Sequence, residues 1–282
     1  MPDLTTARIN ACFAALKTKN QAAFVAYVMA GDPDTETAFQ ILRGLPGAGA
    51  DIIELGFPFS DPMAEGPPIQ RAALRGLKAG MTLRGTLELV RRFRAGDDTT
   101  PIVLMGYMNP LMSYGLEAFA TAAAEAGVDG LIVVDCPPEE SGPLADLLDA
   151  AHVSLIRLAT PTSDERRLPV VVARTSGFVY YVSVAGVTGV KEADADAVAP
   201  AVARVRAASG LPVCVGFGIK TPQRAAEVAR IADGVVVGSV LVDVIASAIE
   251  MNQLVAPKVV ESAASLAKAV HSARVEQPVV QA

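Results

Sequence analysis

A closed barrel of eight β/α units with an additional N-terminal helix is the fold this sequence predicts, and three observations predict it. Eight short apolar runs recur along the 282 residues. Most are apolar at nearly every position rather than alternating, the pattern of parallel strands covered on both faces. The stretches between them are amphipathic and rich in Ala, Leu, Glu and Arg, and they often end near Gly, as helices do. Such units close into a (β/α)8 TIM barrel, commonly one domain of about 250 residues. A doubly wound open sheet is the second architecture the pattern allows.

Taken in order, a helix is expected near residues 4–18. The strands begin near Phe24 (FVAYVMAG), Ile52 (IIELGF), Pro101 (PIVLMGY), Gly130 (GLIVVDC), Ser154 (SLIRLATP), Gly177 (GFVYYVSV), Pro212 (PVCVGFGI) and Gly234 (GVVVGS). Helical stretches between them include DTETAFQILRGL, LRGTLELVRRFR, LEAFATAAAEAG and PQRAAEVARIAD. The connections after the second and sixth strands are the longest. Barrel active sites lie at the C-terminal face, so these two connections should carry function. The barrel is expected to occupy residues 1–272 as a single domain, with 273–282 a frayed tail that lacks a packing face.

Composition removes several classes. With 24 Lys+Arg against 30 Asp+Glu, the net charge is −6, and no basic tract exists to neutralise nucleic acid phosphates or an anionic membrane. The start, MPDLTTARINACFAALK, lacks a charged n-region and an unbroken apolar core, so no export signal is expected, and no run reaches the roughly 20 apolar residues of a membrane helix. Cys12, Cys136 and Cys214 are scattered, which supports neither a disulfide framework nor a structural zinc site and suits the cytoplasm. Both histidines, His152 and His271, fall away from the predicted catalytic face, and no lysine lies within a strand. Metal-aldolase, Ser-His and lysine-imine chemistry are therefore disfavoured, and no metal or cofactor is expected. Carboxylates remain.

Glu54 interrupts the second apolar strand, where burial of an ionised carboxylate requires a partner or a function. An apolar setting would raise its pKa until it both gives and takes a proton near neutrality. Asp61 and Glu65 follow in a loop stiffened by Pro58, Pro62, Pro67 and Pro68. Asp61 could simply make turn hydrogen bonds, and Glu65 could be a solvated loop charge. A second constellation is distributed over SVAGVTG (183–189), GFGIK (216–220) and VGS (237–239). Glycines there let backbone N–H groups approach a ligand, and a helix opening at Ser239 would aim its N-terminus at the same place, an arrangement that fits a phosphate.

At these residues the chain resembles the tryptophan synthase α subunit family. The resemblance runs from about residue 4 to 272 and rests on AYVMAGDP, IELGFPFSDPMAEGP, GYMNPL, DGLIVVDCPPEE, YYVSVAGVTG, GFGI and VVGS. It implies retro-aldol cleavage of indole-3-glycerol phosphate to indole and glyceraldehyde 3-phosphate without metal or organic cofactor. It implies a PLP-containing β-subunit partner in an αββα assembly. Position by position, it places the general acid-base at Glu54 and the second catalytic carboxylate at Glu65. Substrate binding falls to Tyr27, Tyr107, Tyr180 and Thr188, phosphate binding to Gly189, Gly218, Gly238 and Ser239, and β-subunit contact to Pro58, Asn109 and Asp135.

Two departures stand out. The family's second carboxylate is an Asp in ADGP, whereas this chain has AEGP with Glu65. An added methylene moves the carboxylate by roughly 1 Å unless the loop adjusts, enough to cost about 100-fold in rate. Val184 stands where many relatives have Arg. The Glu65 departure gives a second reading, a subunit that keeps substrate binding and partner activation with cleavage impaired. A third, a different phosphosugar barrel enzyme, fits the tandem carboxylates poorly.

Overall fold

The computed structural model describes residues 7–183, 195–216 and 218–274. Nine strands form one parallel sheet: β1 (Ala23–Met29), β2 (Ile52–Gly56), β3 (Ile102–Gly106), β4 (Gly130–Val133), β5 (Ser154–Leu155), β6 (Arg157–Ala159), β7 (Val179–Val182), β8 (Val213–Gly216) and β9 (Gly234–Val237). Their order is β5-β4-β3-β2-β1-β9-β8-β7-β6. Only Ile156 separates β5 from β6, so the two ends of that order belong to one interrupted stave. The eight expected staves are present, with the fifth split in two, and the sheet closes on itself instead of ending in the free edges of a doubly wound sheet.

The pleat explains the two-sided apolar pattern. Along β1, Phe24, Ala26 and Val28 point outward into the main core beneath the helices. Their neighbours Ala23 and Val25 point into the barrel interior. On β2, Ile53 and Leu55 face the helices while Ile52 faces inward. By the same alternation Glu54 points into the barrel.

The extra helix, α1 (Ala7–Thr18), plugs the N-terminal end. Ile9 and Leu16 are buried with Ile52, Val103, Phe178 and Cys214, and Phe13 meets Phe178 with ring centroids 5.9 Å apart. The start expected near residue 4 lies outside the described residues. Asp129 fastens this end: it accepts from Arg8 at 3.0 Å, Arg94 at 2.6 Å and the backbone N–H of Ile102 at 2.8 Å. His271 lies 2.7 Å from Asp51, whose carboxylate also accepts from Phe24 N–H, so this histidine ties the chain's last helix to the strand bottoms.

The long connection after β2 is not one loop. It contains two helices, α3 (Pro67–Lys78), opened by prolines at its first positions where no N–H is needed, and α4 (Leu83–Arg94), capped by the Thr82 hydroxyl. Only residues 57–66 remain as a loop over the mouth. The tail expected at 273–282 lies almost wholly outside the described residues.

Replacing Asp129 by Ala strands two guanidinium groups beside a fully buried position. Urea denaturation should show a loss of about 3–5 kcal/mol for Asp129→Ala, and a change below 1 kcal/mol would show that the cluster does not hold the barrel's base.

Candidate active site

Glu54 is 1% exposed in the middle of β2, level with Tyr27 on β1 and Val103 on β3. Its Oε2 has no hydrogen-bond partner among the described residues. Burial, and then the charge of Glu65, push its pKa up to about 8. Among the described residues no cation pairs with it to hold the charged form, so the core ion pair that a buried Glu can signal is not found there.

Glu65 is the residue that sequence reasoning left between a solvated charge and a catalytic one. It is 7% exposed, and burial raises its pKa to about 7. The loop carries it inward: Glu65 N–H donates to Pro62 O at 3.0 Å, Gln70 Nε2 donates to Glu65 O at 2.8 Å, and Ala64 N–H donates to the Tyr107 hydroxyl at 3.0 Å. Phe59 stacks on Tyr107 at 5.4 Å between centroids. Tyr107 thus spends its hydroxyl on the loop backbone. Asp61 is exposed and bonded to its neighbour Ser60, the turn role open to it from the start.

Both carboxylates line one cavity with Tyr27, Tyr180, Met105, Ile69, Gly218, Ile219, Val236, Gly238 and Ser239. On the far wall α11 (Ser239–Glu250) begins at Gly238, with no side chain capping its N-terminus. Its first N–H groups are therefore free for an anion. Gly218 has φ +72°, a left-handed backbone that glycine adopts without strain. Gly216 serves differently from the expectation. A Cβ there would collide with the Tyr180 hydroxyl, so this glycine makes room for a ring. Gly56 does the same for Tyr27, and Gly238 packs against that ring, where a Cβ would stand 3.2 Å from it.

Three expected positions, Thr188, Gly189 and Val184, lie outside the described residues. Of the three proposed contact residues, Asn109 and Asp135 are exposed beside the mouth, and Asp135 accepts from Met108 N–H at 2.8 Å. Pro58 is buried, packed toward Gly76 of α3. Met105, Ile69, Ile219 and Val236 were not singled out from the sequence. The interior parity of Met105 and Val236 on their strands was the available signal, whereas Ile69 reaches the cavity only because α3 folds back over it. Among the described residues no group of three or more His, Cys, Asp or Glu is arranged to hold a metal ion, and no helix is long and apolar enough to cross a membrane.

Two buried carboxylates whose pKa values burial raises toward neutrality, at the C-terminal mouth of a parallel barrel, are the equipment of an acid-base barrel enzyme. Residues 13–271 match the family model described as tryptophan synthase alpha chain. The chain is 73% identical over 271 residues to the tryptophan synthase alpha chain of Phenylobacterium zucineum, covering 96% of this chain and 98% of that protein. It is 68% identical over 273 residues to that of Caulobacter sp., covering 97% and 99%. The crystal structure of the α subunit from Legionella pneumophila superposes with a TM-score of 0.87 at 39% identity, covering 93% of this chain and 98% of that one. The chain therefore belongs to the tryptophan synthase alpha chain family. It is a carbon-carbon lyase of tryptophan biosynthesis acting on indole-3-glycerol phosphate, and the family implies a β-subunit partner. The reading in which cleavage is impaired finds no support in these relationships.

The environment of Glu54 costs stability. Between about pH 4.5 and 8 the folded chain holds a proton that the unfolded chain has released, so stability falls as pH rises through that window. Glu54→Gln should therefore be more stable than the native chain above pH 8, on the order of a few kcal/mol, with the difference vanishing near pH 4.5. Thermal melts across that range test it, and a pH-independent difference would show that Glu54 is not held neutral by burial.

Proposed function

We propose that Glu54 and Glu65 divide the proton transfers of indole-3-glycerol phosphate cleavage. Protonated Glu54 delivers a proton to indole C3 while ionised Glu65 accepts the N–H proton, which converts the ring to its indolenine-like tautomer. Glu54, now a carboxylate, takes the proton of the hydroxyl on the adjacent carbon. The bond from that carbon to C3 breaks, its electrons return through the ring to the nitrogen, Glu65 gives its proton back there, and indole and glyceraldehyde 3-phosphate result. The observation that carries this reading is the pairing of two buried carboxylates in one cavity with an uncapped helix N-terminus opposite.

The remaining roles follow from position. Gly218, Gly238 and Ser239 would hold the phosphate with backbone donors, joined by Gly189, because a chain of net charge −6 offers no general attraction for an anion. Tyr180 flanks Glu54 from the opposite wall, and Met105 and Val236 supply apolar surface for the indole. Tyr107 would act through the loop it holds, and Thr188 in the connection after β7 would help close the site over substrate. Asn109 and Asp135 would meet a PLP-containing β subunit in an αββα assembly, with Pro58 backing that surface from within. The scheme places no cofactor on this chain, and the setting is the cytoplasm.

Indole release, measured with and without the β subunit, should be low for the isolated chain and stimulated by the partner; no indole in either case would overturn the reading. Glu54→Gln should lower kcat by about 10²–10⁴-fold. Glu65→Asp should also lower it, by about 10- to 100-fold, because the loop buries a carboxylate of the longer reach; an increase would mean that Glu65 is misplaced. The kcat/KM profile should be bell-shaped with limbs near pH 7 and 8, the ionisation of Glu65 and of Glu54, read as properties of the pair.

A further inference from the structure

Tyr27 is 5% exposed, yet its hydroxyl makes no hydrogen bond to any described residue. Tyr27 lines the cavity, so a bound ligand can supply the partner that a largely buried tyrosine hydroxyl usually finds. A phenylalanine would fill the same wall, but here the hydroxyl occupies space that exists only because residue 56 is glycine. The direction of the side chain is fixed at both ends. Its Cβ and Cγ pack against Gly238, 3.3 and 3.4 Å from where a Cβ would stand at the start of α11, and its tip reaches over Gly56, two residues beyond Glu54. Tyr27 therefore lies along the cavity wall between the helix N-terminus and the two carboxylates. On the functional reading above, that stretch of the cavity holds the part of the substrate between phosphate and indole, which is the glycerol chain.

We propose that the Tyr27 hydroxyl is a specificity-determining group that hydrogen-bonds a glycerol hydroxyl of the substrate, over and above the apolar contact its ring makes. Burial and the negative fields of Glu65 and Glu54 hold the phenol protonated, so it remains a donor throughout the working pH range. Donation to the oxygen of a glycerol hydroxyl leaves that group's own proton free for Glu54 or for solvent. A site that commits a buried polar group to a substrate hydroxyl discriminates against ligands lacking it, because the protein group is then left unpaired.

The inference rests on the proposed function and is tested apart from it. In the complex with the β subunit, the native chain and Tyr27→Phe are compared for kcat/KM on indole-3-glycerol phosphate and for inhibition by the analogue with both glycerol hydroxyls replaced by hydrogen. Tyr27→Phe should lower kcat/KM about 10-fold, the equivalent of one net hydrogen bond, and leave the analogue's Ki within about twofold. Equal losses on both ligands would show a packing role, and no loss on either would show a hydroxyl facing nothing; each overturns the inference. The Tm, expected to stay unchanged, guards against a folding defect. If the native complex releases no indole, the functional reading fails, and the same comparison is made from calorimetric Kd values of the two compounds, so the inference stands or falls separately.

Discussion

The structure turns on one unfavourable burial. A carboxyl group with no cation beside it among the described residues sits in the middle of a parallel strand, and its surroundings keep that group neutral and reactive. Backbone groups in a closed sheet are already paired, so they cannot stabilise the charged form. Apolar neighbours such as Val103, Val236 and Met105 withhold water. A second carboxyl, brought in on a proline-stiffened loop, adds repulsion instead of relief. The rest of the barrel supplies the free energy that tolerates this arrangement, through a continuous core under the helices and through ion clusters such as Asp129 with Arg8 and Arg94 kept at the opposite end. The buried Asp32–Arg75 pair, by contrast, stands at the mouth end, just past β1.

Much of this was legible in the residues, for a physical reason. Strand periodicity is local, so the inward aim of Glu54 followed from its place between Ile52 and Gly56. The eight staves and the extra helix were legible in the same way. What escaped depended on contacts distant in sequence. Of the extra length after β2, the segment LRGTLELVRRFR read as helix and is α4, but α3 did not stand out and also packs back on the barrel. Ile156 interrupts the fifth stave, beside Arg157, whose buried guanidinium donates to Cys136 O and to Ser141; an arginine inside an apolar run was the available hint. Pro58 sits in a motif that suggests an exposed contact, yet it is buried because α3 folds over it.

The glycines illustrate the same limit more sharply. Their clustering in the late loops suggested backbone approach to a phosphate, and Gly218 and Gly238 do border the cavity. Gly216 and Gly56 instead mark where tyrosine rings from neighbouring strands must pass. A missing Cβ looks identical in sequence whether the space is taken by a ligand or by a side chain 29 or 36 residues away. Only the register between strands distinguishes the two.

The helix that seals the lower end has a consequence for traffic. With Ile9, Phe13 and Leu16 wedged against the strand bottoms, the described residues close the lower end of the barrel, which leaves the rim at the opposite end as the approach to the site. Substrate enters and both fragments leave through the same rim, past the loops that carry the reactive groups. A partner seated on that rim would therefore command arrival and departure together.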